Sequence, residues 1–174
     1  VAKQRKADPY DTMLDLMDEE DNRVRIVLHN RTESDIRFFL GHEAAMIGSD
    51  GNAISPTERQ SVDQPHPRFY GTYPRVLGRY VREQPSVLSL EAAVRKMTGL
   101  PAERLTLKDR GLIAEGLVAD LVLFDADTVI DRATFEDPHQ YPVGIPYVFV
   151  NGTAVVDGGV HTGARPGRVL RRGA

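Results

Sequence analysis

The sequence predicts an α/β fold that ends in an antiparallel β segment. Helical and β-rich patterns alternate over the first fifty residues, which is typical of parallel βα units. A compact apolar strand is expected at residues 119–124, and residues 147–150 and 153–156 flank Asn151 and Gly152, a pair that strongly favours a β-hairpin. Between these two parts lies an aperiodic polar stretch that follows Asp50. We therefore predict βα units, a functional loop, helices and then an antiparallel sheet.

Two helices are signalled in the first forty residues. Asp8 is the expected N-cap of a helix that has Pro9 at its first position. Residues 32–35, Thr-Glu-Ser-Asp, have the form of a capping box ahead of the second helix. The first helix is amphipathic, because four apolar residues recur on one face at helical spacing: Tyr10, Met13, Leu14 and Met17.

Two short strands are predicted to alternate with these helices. Residues 24–29 form a β-rich run, and residues 44–48 form a short apolar run. In a parallel layer both runs would end at the same edge, which places His29 and Asp50 at the carboxyl ends of adjacent strands. Two strands alone would leave edges and helix faces uncovered. Further βα units are therefore expected before Val1.

The polar stretch is predicted as a loop over residues 51–73, and helices follow it. A loop of this length is usually functional or disordered, and the aromatic and basic residues at 66–70 argue against disorder. Pro74 is expected to open a helix, and Ser89 to cap the next one. Gly99 is expected to end that helix, and Pro101 to start a shorter one.

Composition excludes several classes of partner. The chain has 174 residues, of which 22 are Lys or Arg and 25 are Asp or Glu, so its formal charge of −3 gives no broad basis for binding nucleic acid or an anionic membrane. No apolar run approaches the roughly 18 residues that span a bilayer. Cysteine is absent, which rules out thiolate metal sites within these residues and is compatible with a reducing compartment. The expected location is the cytoplasm, without a nucleic-acid or membrane partner.

Asp50 is the first candidate catalytic residue. α/β enzymes place their chemistry at the carboxyl ends of buried strands, and a carboxylate there can act as a general base. The alternative is structural, because Ser49, Asp50 and Gly51 are also common turn residues. The tripeptide alone does not decide between these two interpretations.

Several longer stretches resemble the metal-dependent amidohydrolases, and within them the N-acyl-D-amino-acid deacylases, or D-aminoacylases. The stretch at 66–78 is specific to the deacylase branch, whereas Lys-Met-Thr and the later Ala-Asp-Leu-Val occur more generally in that superfamily. The matching stretches occur in family order: MIGSDG at 46–51, HPRFYGTYPRVLG at 66–78, KMTGLPA at 96–102, GLIAEGLVADLVLFD at 111–125 and YVFVNG at 147–152.

The resemblance implies a fold and an activity. Family members carry a metal site in a (β/α)8 barrel and a small β-sandwich built from both termini. Residues 1–110 would then be the carboxyl-terminal part of the barrel, with residues 24–29 and 44–50 as its last two strands and 51–73 as an active-site loop. Residues 111–174 would be part of the composite sandwich. The activity implied is zinc-dependent hydrolysis of N-acyl-D-amino acids to a D-amino acid and a carboxylate, with the amino-terminal remainder of the barrel as partner.

The resemblance also assigns roles to Asp50 and Arg68, and the positions of His66 and His29 suggest roles for these two. Asp50 matches the aspartate that takes a proton from the metal-bound water and returns it to the leaving amine, and it is a possible weak metal ligand. Arg68 matches the arginine that holds the substrate's α-carboxylate, a task suited to the two-pronged guanidinium. His66 is expected to shape the loop that presents Arg68 to the substrate, and His29 to lie on the substrate side of the barrel mouth.

The family's main metal ligands, which include a His-x-His and a cysteine, are absent from this chain. The chain's histidines have no ligand spacing, and we expect no metal role for His42, His139 and His161. Zinc is therefore expected in the complete enzyme, and the isolated chain is expected to be inactive and to retain little zinc. Two alternatives stay open: a hydantoinase-like or dihydroorotase-like cyclic amidohydrolase, and a non-catalytic association module.

Overall fold

The computed structural model describes residues 1–24, 30–54 and 64–171. These residues form two compact units, Val1–Thr32 and Glu33–Ala174. The first unit contains helices α1 (Ala2–Arg5) and α2 (Pro9–Glu19). The predicted N-cap is confirmed, because an Asp8 carboxylate oxygen accepts hydrogen bonds from the backbone N–H groups of Tyr10 and Asp11 at 2.8 and 3.3 Å.

The apolar face of α2 is exposed to solvent. All four residues of the predicted stripe are exposed, whereas the residue of α2 that is buried is Thr12. In its own unit, the described part of the chain offers α2 only the four-residue helix α1 to pack against. The sequence therefore predicts this helix and its periodicity, but its apolar face is not a core face here.

The second unit contains the remaining helices. They are α3 (Glu33–Gly41), α4 (Arg68–Arg75), which continues directly as a π-helix (Val76–Arg82), α5 (Leu90–Met97) and α6 (Gly99–Arg104). The Ser89 cap is confirmed, since its hydroxyl oxygen accepts the Ala92 N–H at 3.2 Å. Gly99 opens α6, so the prediction that it ends the previous helix is wrong; α5 already ends at Met97.

The predicted loop 51–73 is also too long at its carboxyl end. Helix α4 begins at Arg68, and Pro74 lies inside it and not at its start. A proline in a helix interior removes one backbone hydrogen bond, which is why Pro74 was expected to mark the start. Here Pro74 is buried, so packing offsets that loss.

The predicted strand at 44–48 is not a strand in the described part of the chain. The segment is irregular: the Ile47 N–H donates to the carbonyl of Lys96 in α5 at 3.1 Å, and the described residues form no ladder with it. The apolar pattern predicted burial of the whole run, and that is wrong: Ile47 is half-buried against the core, but Ala44, Met46 and Gly48 are exposed. The neighbouring predicted strand at 24–29 falls largely outside the described residues, and the sheet that is present is antiparallel, so the parallel layer is not seen.

The antiparallel sheet contains four strands in sequential order. They are β1 (Leu121–Leu123), β2 (Tyr147–Val150), β3 (Thr153–Asp157) and β4 (Val160–His161). The predicted hairpin between β2 and β3 is confirmed: Asn151 and Gly152 have φ angles of 47° and 77°, the left-handed values that a tight two-residue turn requires. The β1 strand is shorter than the predicted 119–124 run.

The core of the second unit is formed where the helices meet the segment around Val129. Its buried members are Val76, Leu77, Tyr80, Leu88, Ala93 and Val129. One face of the continuous helix 68–82 contacts residues 129–131 through two arginine side chains. The Arg75 Nη1 lies 3.0 Å from Asp131 Oδ2, and the Arg82 Nη1 donates to the Val129 carbonyl at 2.7 Å. Between them, a Cβ added to Gly78 would lie 2.8 Å from the Val129 carbonyl oxygen, so a larger residue there would require the backbone to shift.

None of the helices in the three described stretches combines the length and the apolar content needed to cross a membrane.

Candidate active site

Asp50 lies in a turn that follows the irregular segment 44–48. Ile47 anchors that segment in the core, and the Ser49 hydroxyl oxygen then accepts the Gly51 N–H at 3.2 Å. Asp50 has φ 48°, a left-handed conformation that aspartate tolerates better than most residues. Its side chain is 84% exposed. The turn predicted by the tripeptide is present, and it presents the carboxylate to solvent.

Arg68, the first residue of α4, contacts Asp50 through two nitrogen atoms. Its Nη2 lies 2.7 Å from Asp50 Oδ2, and its Nε donates to the Asp50 backbone carbonyl at 3.0 Å. Gly51 permits this approach, because a Cβ at that position would lie 3.0 Å from the backbone Cα of Phe69. The structure therefore brings together the two residues that the sequence singled out, although they are 18 positions apart.

The pair combines a proton acceptor with an anion-binding group. A carboxylate can accept a proton from water, and a guanidinium can hold a second carboxylate through paired N–H groups. The Arg68 side chain is 41% exposed, so the guanidinium is open to a ligand from solvent. Of its three nitrogens, the contacts with Asp50 engage Nε and Nη2.

His66 holds the start of α4. Its Nδ1 accepts the backbone N–H of Arg68 at 3.0 Å, which satisfies a donor at the first turn of the helix. Its ring packs edge-on against Phe135 at 5.0 Å between centroids. Gln64 adds a hydrogen bond to the Phe135 carbonyl at 2.6 Å. His66 thus contacts the start of the helix that begins at Arg68; its roles in shaping the loop and in binding substrate stay predictions.

A polar aromatic cluster near α4 was not expected from the sequence. Tyr70 Oη lies 2.9 Å from His139 Nδ1, and the Tyr70 ring packs edge-on against Tyr141 at 5.5 Å. Burial raises the pKa of the Tyr70 hydroxyl, and the neighbouring Tyr141 raises it further. The sequence carries no signal for this contact, because Tyr70 and His139 are 69 positions apart and both stand in non-periodic surroundings.

The rings of two of the other described histidines make local contacts. His42 Nδ1 accepts the Ala44 N–H at 3.2 Å, and His161 Nδ1 accepts the Gly163 N–H at 3.0 Å, so both rings make local turn contacts. His29 lies outside the described residues. Over the described ranges, no three His, Cys, Asp or Glu side chains come close enough together to hold a metal ion. The donor set of these residues therefore does not by itself fit a zinc site.

Comparison with known proteins gives the same family as the sequence resemblance. The family model described as "Amidohydrolase family" matches residues 44–156. An N-acyl-D-glutamate deacylase from Alcaligenes xylosoxydans xylosoxydans is 51% identical over 142 residues, which are 82% of this chain and 27% of that protein. The chain spans between 27% and 33% of the length of the curated relatives that it matches.

Two solved structures are similar to the chain in fold. A crystal structure of a D-aminoacylase superposes with a TM-score of 0.73 at 47% identity, covering 81% of this chain and 28% of that one. An N-acyl-D-glutamate deacylase from Bordetella bronchiseptica, complexed with zinc and a phosphonate inhibitor, gives 0.63 at 44% identity, covering 71% of this chain and 24% of that one. The region that the family model matches, residues 44–156, contains Asp50, Arg68 and the turn of the β2–β3 hairpin. The chain therefore belongs to the amidohydrolase family, and its relatives are deacylases of the D-aminoacylase branch, as the sequence predicted.

Proposed function

We propose that the complete enzyme containing this chain hydrolyses N-acyl-D-amino acids, with Asp50 as general base and acid and Arg68 as the carboxylate clamp. The observation that carries this proposal is the direct contact between the Asp50 carboxylate and the Arg68 guanidinium at 2.7 Å. The substrate class and its D configuration are supported by the names of the relatives.

The spacing of the two groups suits an α-amido acid. In such a substrate the amide nitrogen and the carboxylate carbon are both bonded to the same α-carbon. The group that donates a proton to the leaving nitrogen and the group that binds the carboxylate must therefore be neighbours. Asp50 and Arg68 are neighbours on two elements fixed to one core, the segment that carries Ile47 and the helix that carries Val76. On binding, the substrate carboxylate takes a place beside Nη2 that Asp50 occupies here.

In the proposed reaction, the proton moves through Asp50. The carboxylate accepts a proton from the attacking water as the C–O bond forms, and it returns that proton to the amine nitrogen as the C–N bond breaks. Arg68 holds the α-carboxylate of the substrate throughout and so fixes the orientation of the amide. Both tasks need exposed side chains, and both side chains are exposed to solvent.

Zinc is part of the proposal through the relatives, one of which was solved with zinc bound. Since the described residues do not form a metal site, its ligands are expected elsewhere in the complete enzyme. A weak contact of Asp50 with the metal stays a prediction. The same holds for the barrel and sandwich division at residues 110 and 111, for the amino-terminal remainder of the barrel as partner, and for a cytoplasmic location.

The direct test is Asp50→Asn in the complete enzyme, assayed with N-acetyl-D-glutamate and its L enantiomer. The substitution retains size but removes proton acceptance, so kcat should fall about 10²–10⁴-fold while KM changes little. The matched control is Asp21→Asn, because Asp21 has a similar φ of 50° and pairs with Arg23 at 2.8 Å, far along the sequence from the candidate site. Wild-type kcat in Asp50→Asn would show that Asp50 is only a turn residue.

A further inference from the structure

Lys96 is a buried cation that the proposed mechanism does not use. Lys96 lies in the last turn of α5, and only 5% of its surface is exposed to solvent. Burying an ammonium group is costly unless its donors are satisfied. Its Nζ donates to the backbone carbonyl of His42 and, at 3.1 Å, to that of Ala45. Both acceptors lie in the segment that leads to Asp50.

These carbonyls follow the end of α3, which finishes at Gly41. The dipole makes the carboxyl end of a helix negative, so a lysine ammonium is a suitable partner for the His42 carbonyl directly after α3, whereas the Ala45 carbonyl lies four positions beyond the helix. The backbone of Lys96 adds a third bond, because its carbonyl, itself near the end of α5, accepts the Ile47 N–H at 3.1 Å. One residue thus joins the end of α5 to residues 42, 45 and 47.

We infer that Lys96 is a positioning residue for the general base, acting through the segment that carries Asp50. This inference rests on the proposed function. The three bonds fix residues 42, 45 and 47, and Asp50 follows three positions after the last of them. The proposed role needs no contact between Lys96 and the substrate. Its effect on the reaction is to set where the Asp50 turn leaves the core, and therefore where the carboxylate stands relative to Arg68.

The test is Lys96→Met in the complete enzyme, because methionine keeps the length and the apolar stem but has no donor. A displacement of Asp50 by about 1 Å should lower kcat about 10- to 100-fold, with KM nearly unchanged. The matched control is Arg95→Met, which removes a cation from the preceding position of the same helix, where the side chain is 60% exposed and 3.6 Å from Glu103. That control should retain wild-type kcat.

A double-mutant cycle separates positioning from a merely structural role. If Lys96 acts through Asp50, Lys96→Met should lower kcat in the wild-type background and cause no further loss in the Asp50→Asn background. Should Lys96→Met fail to fold, Lys96→Arg is measured in the same two backgrounds, because its larger head group must displace the carbonyls of His42 and Ala45. The same results are expected of it.

Wild-type kcat in the lysine variant, or an equal fold-loss in both backgrounds, would overturn this inference alone. Full kcat in Asp50→Asn by itself would overturn the proposed function and, with it, the role of Lys96.

Discussion

Replacing Arg68 by lysine tests whether its guanidinium binds the substrate's carboxylate. Lysine keeps the charge but loses the fork by which Nε and Nη2 reach two separate oxygen atoms of Asp50, at 3.0 and 2.7 Å. A charge-assisted hydrogen bond contributes about 1.5–3 kcal/mol. Since the side chain is 41% exposed, we expect the lower end, about 1.5 kcal/mol or roughly 10-fold in kcat/KM. Arg68→Ala removes the charge as well as the fork, so kcat/KM should fall by about 100-fold.

The assay compares an N-acyl-D-amino acid with an N-acyl amine that lacks the carboxylate. Both Arg68 variants should mainly raise KM for the acid and leave the slow hydrolysis of the amine unchanged. Arg23→Lys is the matched control, because Arg23 also pairs with an aspartate that has positive φ, Asp21 at 2.8 Å. Equal losses on acid and amine would refute the reasoning, since Arg68 would then support Asp50 and not the substrate.

Three further outcomes are expected. The isolated chain should show no amidase turnover and release zinc on gel filtration, because the described residues form no metal site; stoichiometric zinc with turnover would contradict this. The raised pKa of Tyr70 means that its protonated form stabilises the fold below the usual value of about 10 and that this stabilisation is lost as pH rises. Tyr70→Phe should therefore reduce the drop in melting temperature between about pH 9 and about pH 11; an unchanged drop would assign it to other groups. Gly144→Ala should destabilise by about 1–3 kcal/mol in thermal unfolding, because the new Cβ would lie 2.6 Å from the Val129 backbone. Gly116 has a similar φ but open space around it, so Gly116→Ala should reduce the stability less. Equal losses of stability would mean that backbone strain, and not the contact with Val129, causes both.

Local signals in the sequence correctly predicted two helix caps and the hairpin turn. The Asp8 cap, the Ser89 cap and the Asn151–Gly152 turn each depend on residues within a few positions, so their physics is visible in the sequence. The prediction that Pro74 opens a helix was wrong because it also rested on local preference alone. Its local preference is to start a helix, and the packing that keeps it inside α4 comes from elsewhere in the chain.

Contacts between distant residues were the part that local patterns could not predict. The apolar run at 44–48 predicted a buried strand, but a strand requires a hydrogen-bonded neighbour, and the partner of Ile47 is the end of α5. Asp50 and Arg68 were singled out individually, and their proximity was implied only by the family resemblance. Nothing near Lys96 in the sequence shows that its ammonium is buried, because its acceptors lie 51 and 54 positions away.

Helix 68–82 is held by its contacts with residues 129–131, so a change in those contacts would tilt the helix and move Arg68, the proposed carboxylate clamp. Arg68 lies at the amino-terminal end of that helix, where it contacts Asp50, seven residues before the Arg75 contact with Asp131, or about 10 Å along the axis. A rod of that length needs a tilt of only about 6° to move its tip by about 1 Å. If Arg68 binds the substrate as proposed, repacking around Ile130 is expected to alter substrate affinity from a segment that is remote from the substrate.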